Sequence, residues 1–145
     1  MLPRYHILLG ALLTFFIWYF APGLSWKYLS LIFAASVLID FDHYVNAAMK
    51  TKKLSLGSAF NYHKSLGVLQ AVEKSRGIRK KGDFHLFHTI EFHVVIALLG
   101  IFSMSFFYIF VGMAYHSLLD LFYLINKDYL YRREYFFFNW LAKKF

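Results

Sequence analysis

The chain has 145 residues, carries a formal net charge of +8, and is 59 % hydrophobic and 22 % aromatic. A water-soluble fold of this size has too little core to hide so many large apolar side chains, which excludes an ordinary soluble domain. The absence of Cys excludes a disulfide framework and a thiolate metal site, and Lys and Arg stand in blocks between apolar runs, which speaks against nucleic acid as the partner.

The pattern predicts an all-α, polytopic membrane protein forming one integral domain over 1–145, with about four transmembrane helices. The first, about 5–21, follows Arg4 and stops at Ala21-Pro22-Gly23. Further apolar runs follow it, so it reads as a retained helix rather than a cleaved signal peptide. The second, about 24–40, closes a tight helical hairpin. Residues 44–83 then form a basic loop holding Lys50, Lys52, Lys53, Lys64, Lys74, Arg76, Arg79, Lys80 and Lys81. Within it, Leu66, Leu69 and Val72 recur at three-residue spacing, which fits either a short amphipathic helix on anionic headgroups or a solvated loop. The apolar stretch Phe84–Ile125 is too long for one crossing of a ~30 Å core. It divides at Ser103-Met104-Ser105 into helices of about 84–102 and 106–126. An interfacial tail, 127–145, mixes Lys127, Arg132, Arg133, Lys143 and Lys144 with Tyr135, Phe136, Phe137, Phe138 and Trp140. The excess of Lys and Arg in the loop and tail places both, and the N-terminus, on the cytoplasmic side of a prokaryotic inner membrane.

Four of the eight acids, Asp40, Asp42, Glu91 and Asp120, lie in or at the ends of apolar segments, together with His43, His85, His88, His93 and His116. Ionisable groups at membrane depth are expensive and mark function. Topology places Asp40, Asp42 and His43 at the cytoplasmic end of the second helix, and His85, His88 and Glu91 at that end of the third. Asp120 and His116 fall near it on the fourth. Within helices, His116 and Asp120 share a face at i,i+4, as do His88 and Glu91 at i,i+3. Asp40, Asp42 and His43 can all reach one point only where the helix frays. Asp40, Asp42, His43, His85, His88, His116 and Asp120 are therefore the candidate metal ligands. Imidazole and carboxylate without thiolate suit Zn or Mn, as one ion or as two bridged by an Asp. Some of these residues would instead orient a ligating His. Glu91 and Asp42 are the candidate catalytic carboxylates, with Glu91 as general base. Lys80, Lys81 and His63 are candidates for substrate contact. His6 and His93 read as structural.

These motifs resemble the YdjM-like family of membrane-bound, predicted metal-dependent hydrolases. The resemblance rests on Leu38-Ile39-Asp40-Phe41-Asp42-His43, on His88-Thr89 before an apolar helix, and on Gly112-x-x-x-His116-x-x-x-Asp120. Ile39 stands where the family has Pro. Asp83 stands where it often has His, so either Asp83 or His85 completes the set. The resemblance implies metal-dependent hydrolysis and names no substrate. With the basic loop, the reading is a hydrolase acting at the cytoplasmic leaflet on a lipid or other amphiphile. A phosphoester fits a two-metal site in cationic surroundings, and an ester or amide fits a single Zn. The alternatives are an ion or metal transporter, and a non-catalytic membrane adaptor with a structural Asp/His cluster. Four short helices bury little protein surface, which leaves room for a homodimer.

Overall fold

The computed structural model describes residues 3–145, and among these the regular structure is all helical. Helix α1 spans Pro3–Phe20, with proline in the first turn, where its missing N–H costs nothing. After the Pro22-Gly23 turn, Ser25 caps α2 (Trp26–Leu38), its hydroxyl accepting from the Lys27 amide at 3.3 Å. A two-residue turn at 39–40 separates α2 from α3 (Phe41–Thr51). The side chain of Asp40 at that junction makes no capping hydrogen bond. Lys52, at positive φ, ends α3, and α4 (Leu56–Ser75) begins with Ser55 accepting from Ser58 N at 3.2 Å.

Residues 44–83 are thus largely helical. A helix exists there in place of a solvated loop and is longer than the Leu66–Val72 spacing implies, but that spacing defines no buried apolar face, since Leu69 and Val72 remain exposed. The third apolar helix starts late. Residues 83–89 run through a 3₁₀ turn, Leu86–His88, and α5 covers only Ile90–Phe102. Thr89 sets that start by accepting from Phe92 N at 3.3 Å. One extended residue, Ser103, leads directly into α6 (Met104–Asn126). The tail folds into a 3₁₀ turn, Leu130–Arg132, and a short α7 (Phe137–Ala142).

Helix α6 packs against α2 and α5, α2 also packs against α1, and α3 pairs with α4. The α2–α6 approach depends on Gly112. A Cβ there would run into the Ile32 carbonyl oxygen and lie 2.9 Å from Ala35 Cβ. Gly112, His116 and Asp120 follow at four-residue steps, so this approach also brings the polar pair against α2. Gly112→Ala is expected to destabilise the protein by about 1–3 kcal/mol through overpacking. An unchanged unfolding temperature in detergent would refute that close approach.

Burial is inverted relative to a soluble protein. The buried hydrophobic residues are Leu29, Ile32, Ile39, Ala47, Ala59 and Met113, whereas His6, Asp42, His85, His88, His116, Asp120, Arg132 and Glu134 are all buried. Phe15, Phe16, Phe20, Leu98, Ile101, Phe102 and Phe122 are among the many large apolar side chains left exposed. Two helical segments, Trp26–Thr51 and Met104–Asn126, are long and apolar enough to cross a membrane. Helix α5, with 13 residues, rises only about 20 Å. Both basic segments lie together. Lys74 Nζ donates to Lys127 O at 2.6 Å, Gly82 N donates to Arg132 O at 2.7 Å, and Phe84 stacks on Trp140 with centroids 4.1 Å apart.

Candidate metal centre

Four side chains from three parts of the chain converge inside the bundle. Asp40 comes from the α2–α3 turn, His88 from the 3₁₀ turn, and His116 and Asp120 from one face of α6. Asp40 Oδ1 lies 3.3 Å from His116 Nε2 and 3.4 Å from His88 Nε2. Asp120 Oδ2 lies 3.7 Å from His116 Nε2 and 3.9 Å from His88 Nε2, and the two Nε2 atoms are 3.4 Å apart. Donors around a tetrahedral ion at roughly 2.1 Å sit about 3.4 Å from one another, so this spacing fits such an ion.

The imidazole tautomers sharpen the point. His116 Nδ1 is 2.8 Å from the Ser36 carbonyl oxygen, which only accepts, so Nδ1 carries the hydrogen. His88 Nδ1 is 3.2 Å from Asp42 Oδ2, which also accepts from Phe87 N at 3.0 Å, and the same reasoning protonates His88 Nδ1. In the neutral imidazoles both Nε2 atoms then present lone pairs to each other and to two carboxylate oxygens. Four acceptors facing one point repel unless a cation or added protons sit between them. A buried Asp/His group of this composition could hold a metal ion. The burial is uneven: the Asp40 side chain is 22 % exposed, against 1 %, 0 % and 2 % for His88, His116 and Asp120. Asp40 is the one partly exposed member of the set.

Around this set stand the groups that orient it. Asp42 holds His88 and the Ser36 carbonyl holds His116, the outer hydrogen bonds that metal-ligating imidazoles usually make. Arg133 donates to Asp120 Oδ2 at 2.8 Å. His6 stacks on His116 with centroids 3.7 Å apart, and its Nε2 lies 3.2 Å from Asp120 Oδ1, off hydrogen-bond alignment. His6, Arg133 and Ser36 are parts of the site that sequence reasoning does not assign. His6 lies 110 positions before His116, and no spacing rule connects α1 to α6.

The other expected residues divide. His43 Nε2 is 3.5 Å from Asp40 Oδ1, and His43 belongs with Asp42 and His88 to a second group of converging donors. His85 stacks on His43 with centroids 3.6 Å apart and lies 3.6 Å from Asp42 Oδ1, outside both converging groups. Burial pushes its imidazole below the usual range, against the pull of Asp42. Asp83 does not replace it, because Lys50 Nζ at 2.6 Å and Tyr62 Oη at 2.7 Å occupy its carboxylate. Burial would raise Asp83, but those two donors outweigh it and hold it below the usual carboxylate range.

Glu91 lies outside both converging groups. Its carboxylate accepts from Phe137 N at 2.8 Å and Phe138 N at 3.3 Å, tying the start of α7 to α5 rather than joining the cluster. The i,i+3 relation to His88 fails because the chain is not helical between them. Lys80 is largely exposed near Glu73, and Lys81 donates to Arg133 O at 2.9 Å. Neither Lys lines the cavity beside the cluster, whereas His63 does. His93 lies between Thr89 O at 2.9 Å and Ser117 Oγ at 3.0 Å, outside both converging groups.

Comparison with known proteins returns no matching family model, no matching curated protein and no matching solved structure.

Proposed function

We propose that this protein is a membrane-embedded, metal-dependent hydrolase whose site lies near the cytoplasmic face and acts on an amphiphilic substrate. The observation carrying the metal is the convergence of two imidazole Nε2 atoms and two carboxylate oxygens at tetrahedral spacing. Asp40, His88, His116 and Asp120 would hold the ion, and the all-N/O donor set suits Zn or Mn. When bound, such an ion lowers the pKa of water and polarises the scissile bond. The chain's own residues orient the imidazoles through Asp42 and Ser36 O.

Membrane embedding is supported by the exposed apolar exterior around a polar interior. Helix α6 rises about 35 Å, enough for a ~30 Å hydrocarbon core, and α2, with 13 residues before the turn at 39–40, rises about 20 Å. In a four-span arrangement, α1 and α5 complete the bundle, and the basic α3–α4 segment and tail face the cytoplasm. The cluster lies at that end, next to Arg133.

Full-length protein in detergent, loaded with Zn or Mn, should hydrolyse at least one of a panel of short-chain ester, amide and phosphoester lipids. Chelation should abolish turnover and metal restore it. Stoichiometric metal with no turnover across all three bond classes would overturn the hydrolase reading and leave a structural or transport centre.

A further inference from the structure

Beside the cluster a cavity of about 470 Å³ opens between α4, residues 82–85, the end of α6 and the turn Leu130–Arg132. None of the four converging ligands lines it, but residues that touch them do. His43 and His85 line it, and so does Arg133, whose guanidinium reaches Asp120 at 2.8 Å. Arg132, only 6 % exposed, also lines it. Arg132 uses Nη2 on Glu73 at 2.9 Å and on Gln70 O at 3.2 Å, but its buried Nε–H has no acceptor. A buried guanidinium donor without a partner is costly, and an anionic ligand would satisfy it. Lys127, also on the wall, has no ion-pair or side-chain hydrogen-bond partner among the described residues. The acids nearby are already neutralised, Asp83 by Lys50 and Glu73 by Arg132.

From this arrangement we infer that the cavity binds the phosphate group of an amphiphilic substrate beside the metal centre. The inference deepens the hydrolase reading and rests on it for the chemical step after binding. Arg133 is held by Asp120 and Arg132 Nη2 by Glu73 and Gln70 O, so the donors left over are Arg132 Nε–H and the Lys127 ammonium, and a tetrahedral oxyanion has oxygens enough to accept from both. Leu124 and Tyr123 at the same cavity supply the apolar contact that a lipid backbone requires.

The test is calorimetric titration of full-length protein in neutral detergent with dihexanoyl phosphatidic acid, inorganic phosphate and uncharged dihexanoylglycerol, with metal content measured in every sample. Both phosphate probes should bind the wild type more tightly than dihexanoylglycerol does. Arg132→Gln should weaken them by about 10-fold or more and Lys127→Gln by a few-fold, at unchanged metal content. Lys127→Gln, exposed and unpaired, keeps the test alive if Arg132→Gln fails to fold. Preference for phosphatidic acid identifies a lipid as the source of the phosphate. Equal binding of inorganic phosphate identifies a free anion, and either result upholds the phosphate site. Absence of phosphate binding, or equal affinity in wild type and both variants, overturns it. Phosphate binding that depends on Arg132 in a protein holding no metal would uphold the cavity and remove the hydrolase reading.

Discussion

Purified wild-type protein is expected to hold about one tightly bound divalent ion per chain, and His116→Ala to hold none. The reason is positional. His116 is fully buried, is fixed by Ser36 O at 2.8 Å, and faces the other three donors. Its loss removes one of four donors and leaves a void that no neighbouring imidazole is placed to fill, since His6 stacks on its face and does not point past it. Asp42→Asn should behave differently. Asp42 holds His88 from behind, and losing such an outer partner weakens metal binding by roughly 10–100-fold without abolishing it. Glu91→Gln should change metal content not at all. Elemental mass spectrometry on the three variants beside wild type reads all of this. Full metal in His116→Ala, or a complete loss in Asp42→Asn with retention in His116→Ala, would dismantle the assignment of inner and outer residues.

The ordering of these roles shows where sequence reasoning reaches and where it stops. Helical character and the ends of α1, α2 and α6 follow from apolar runs and from Pro22-Gly23 and Ser103. His116 and Asp120 can be paired because one regular helix carries both. Asp40 can be placed at a break because its neighbours make sense only if the helix yields there, and the turn at 39–40 supplies that break. The failures come from treating the chain as helical where it is not. A three-residue spacing ties Glu91 to His88 only within a helix, and it means nothing across a 3₁₀ turn and an extended Thr89. His6 and Arg133 reach Asp120 through tertiary packing of α1 and the tail, for which no local pattern exists. The basic segment hides two helices because its charge resembles that of a solvated loop, whereas Ser55 capping and packing against the tail order it.

Asp120→Ala is expected to be the most destabilising single change in the cluster, even with no metal bound. Asp120 is 1 % exposed and anchors two further segments of the fold. Arg133 donates to Oδ2 at 2.8 Å and tethers the tail, and His6 lies 3.2 Å from Oδ1 and brings in α1. The Arg133 side chain is itself only 13 % exposed, so removing the carboxylate leaves a largely buried guanidinium without its counter-charge. Breaking a buried pair from one side costs about 3–5 kcal/mol. His116→Ala creates a void and frees the Ser36 carbonyl, but it leaves Asp120 with Arg133 and Asp40 with His88. Chelator-treated Asp120→Ala should therefore unfold at a lower temperature than chelator-treated His116→Ala. Adding Arg133→Met to Asp120→Ala should recover part of the loss, because it removes the stranded charge. Equal unfolding temperatures for the two single variants, with no recovery in the double variant, would confine Asp120 to metal binding. The expected ranking makes Asp120 both a ligand and the joint between α6, α1 and the tail.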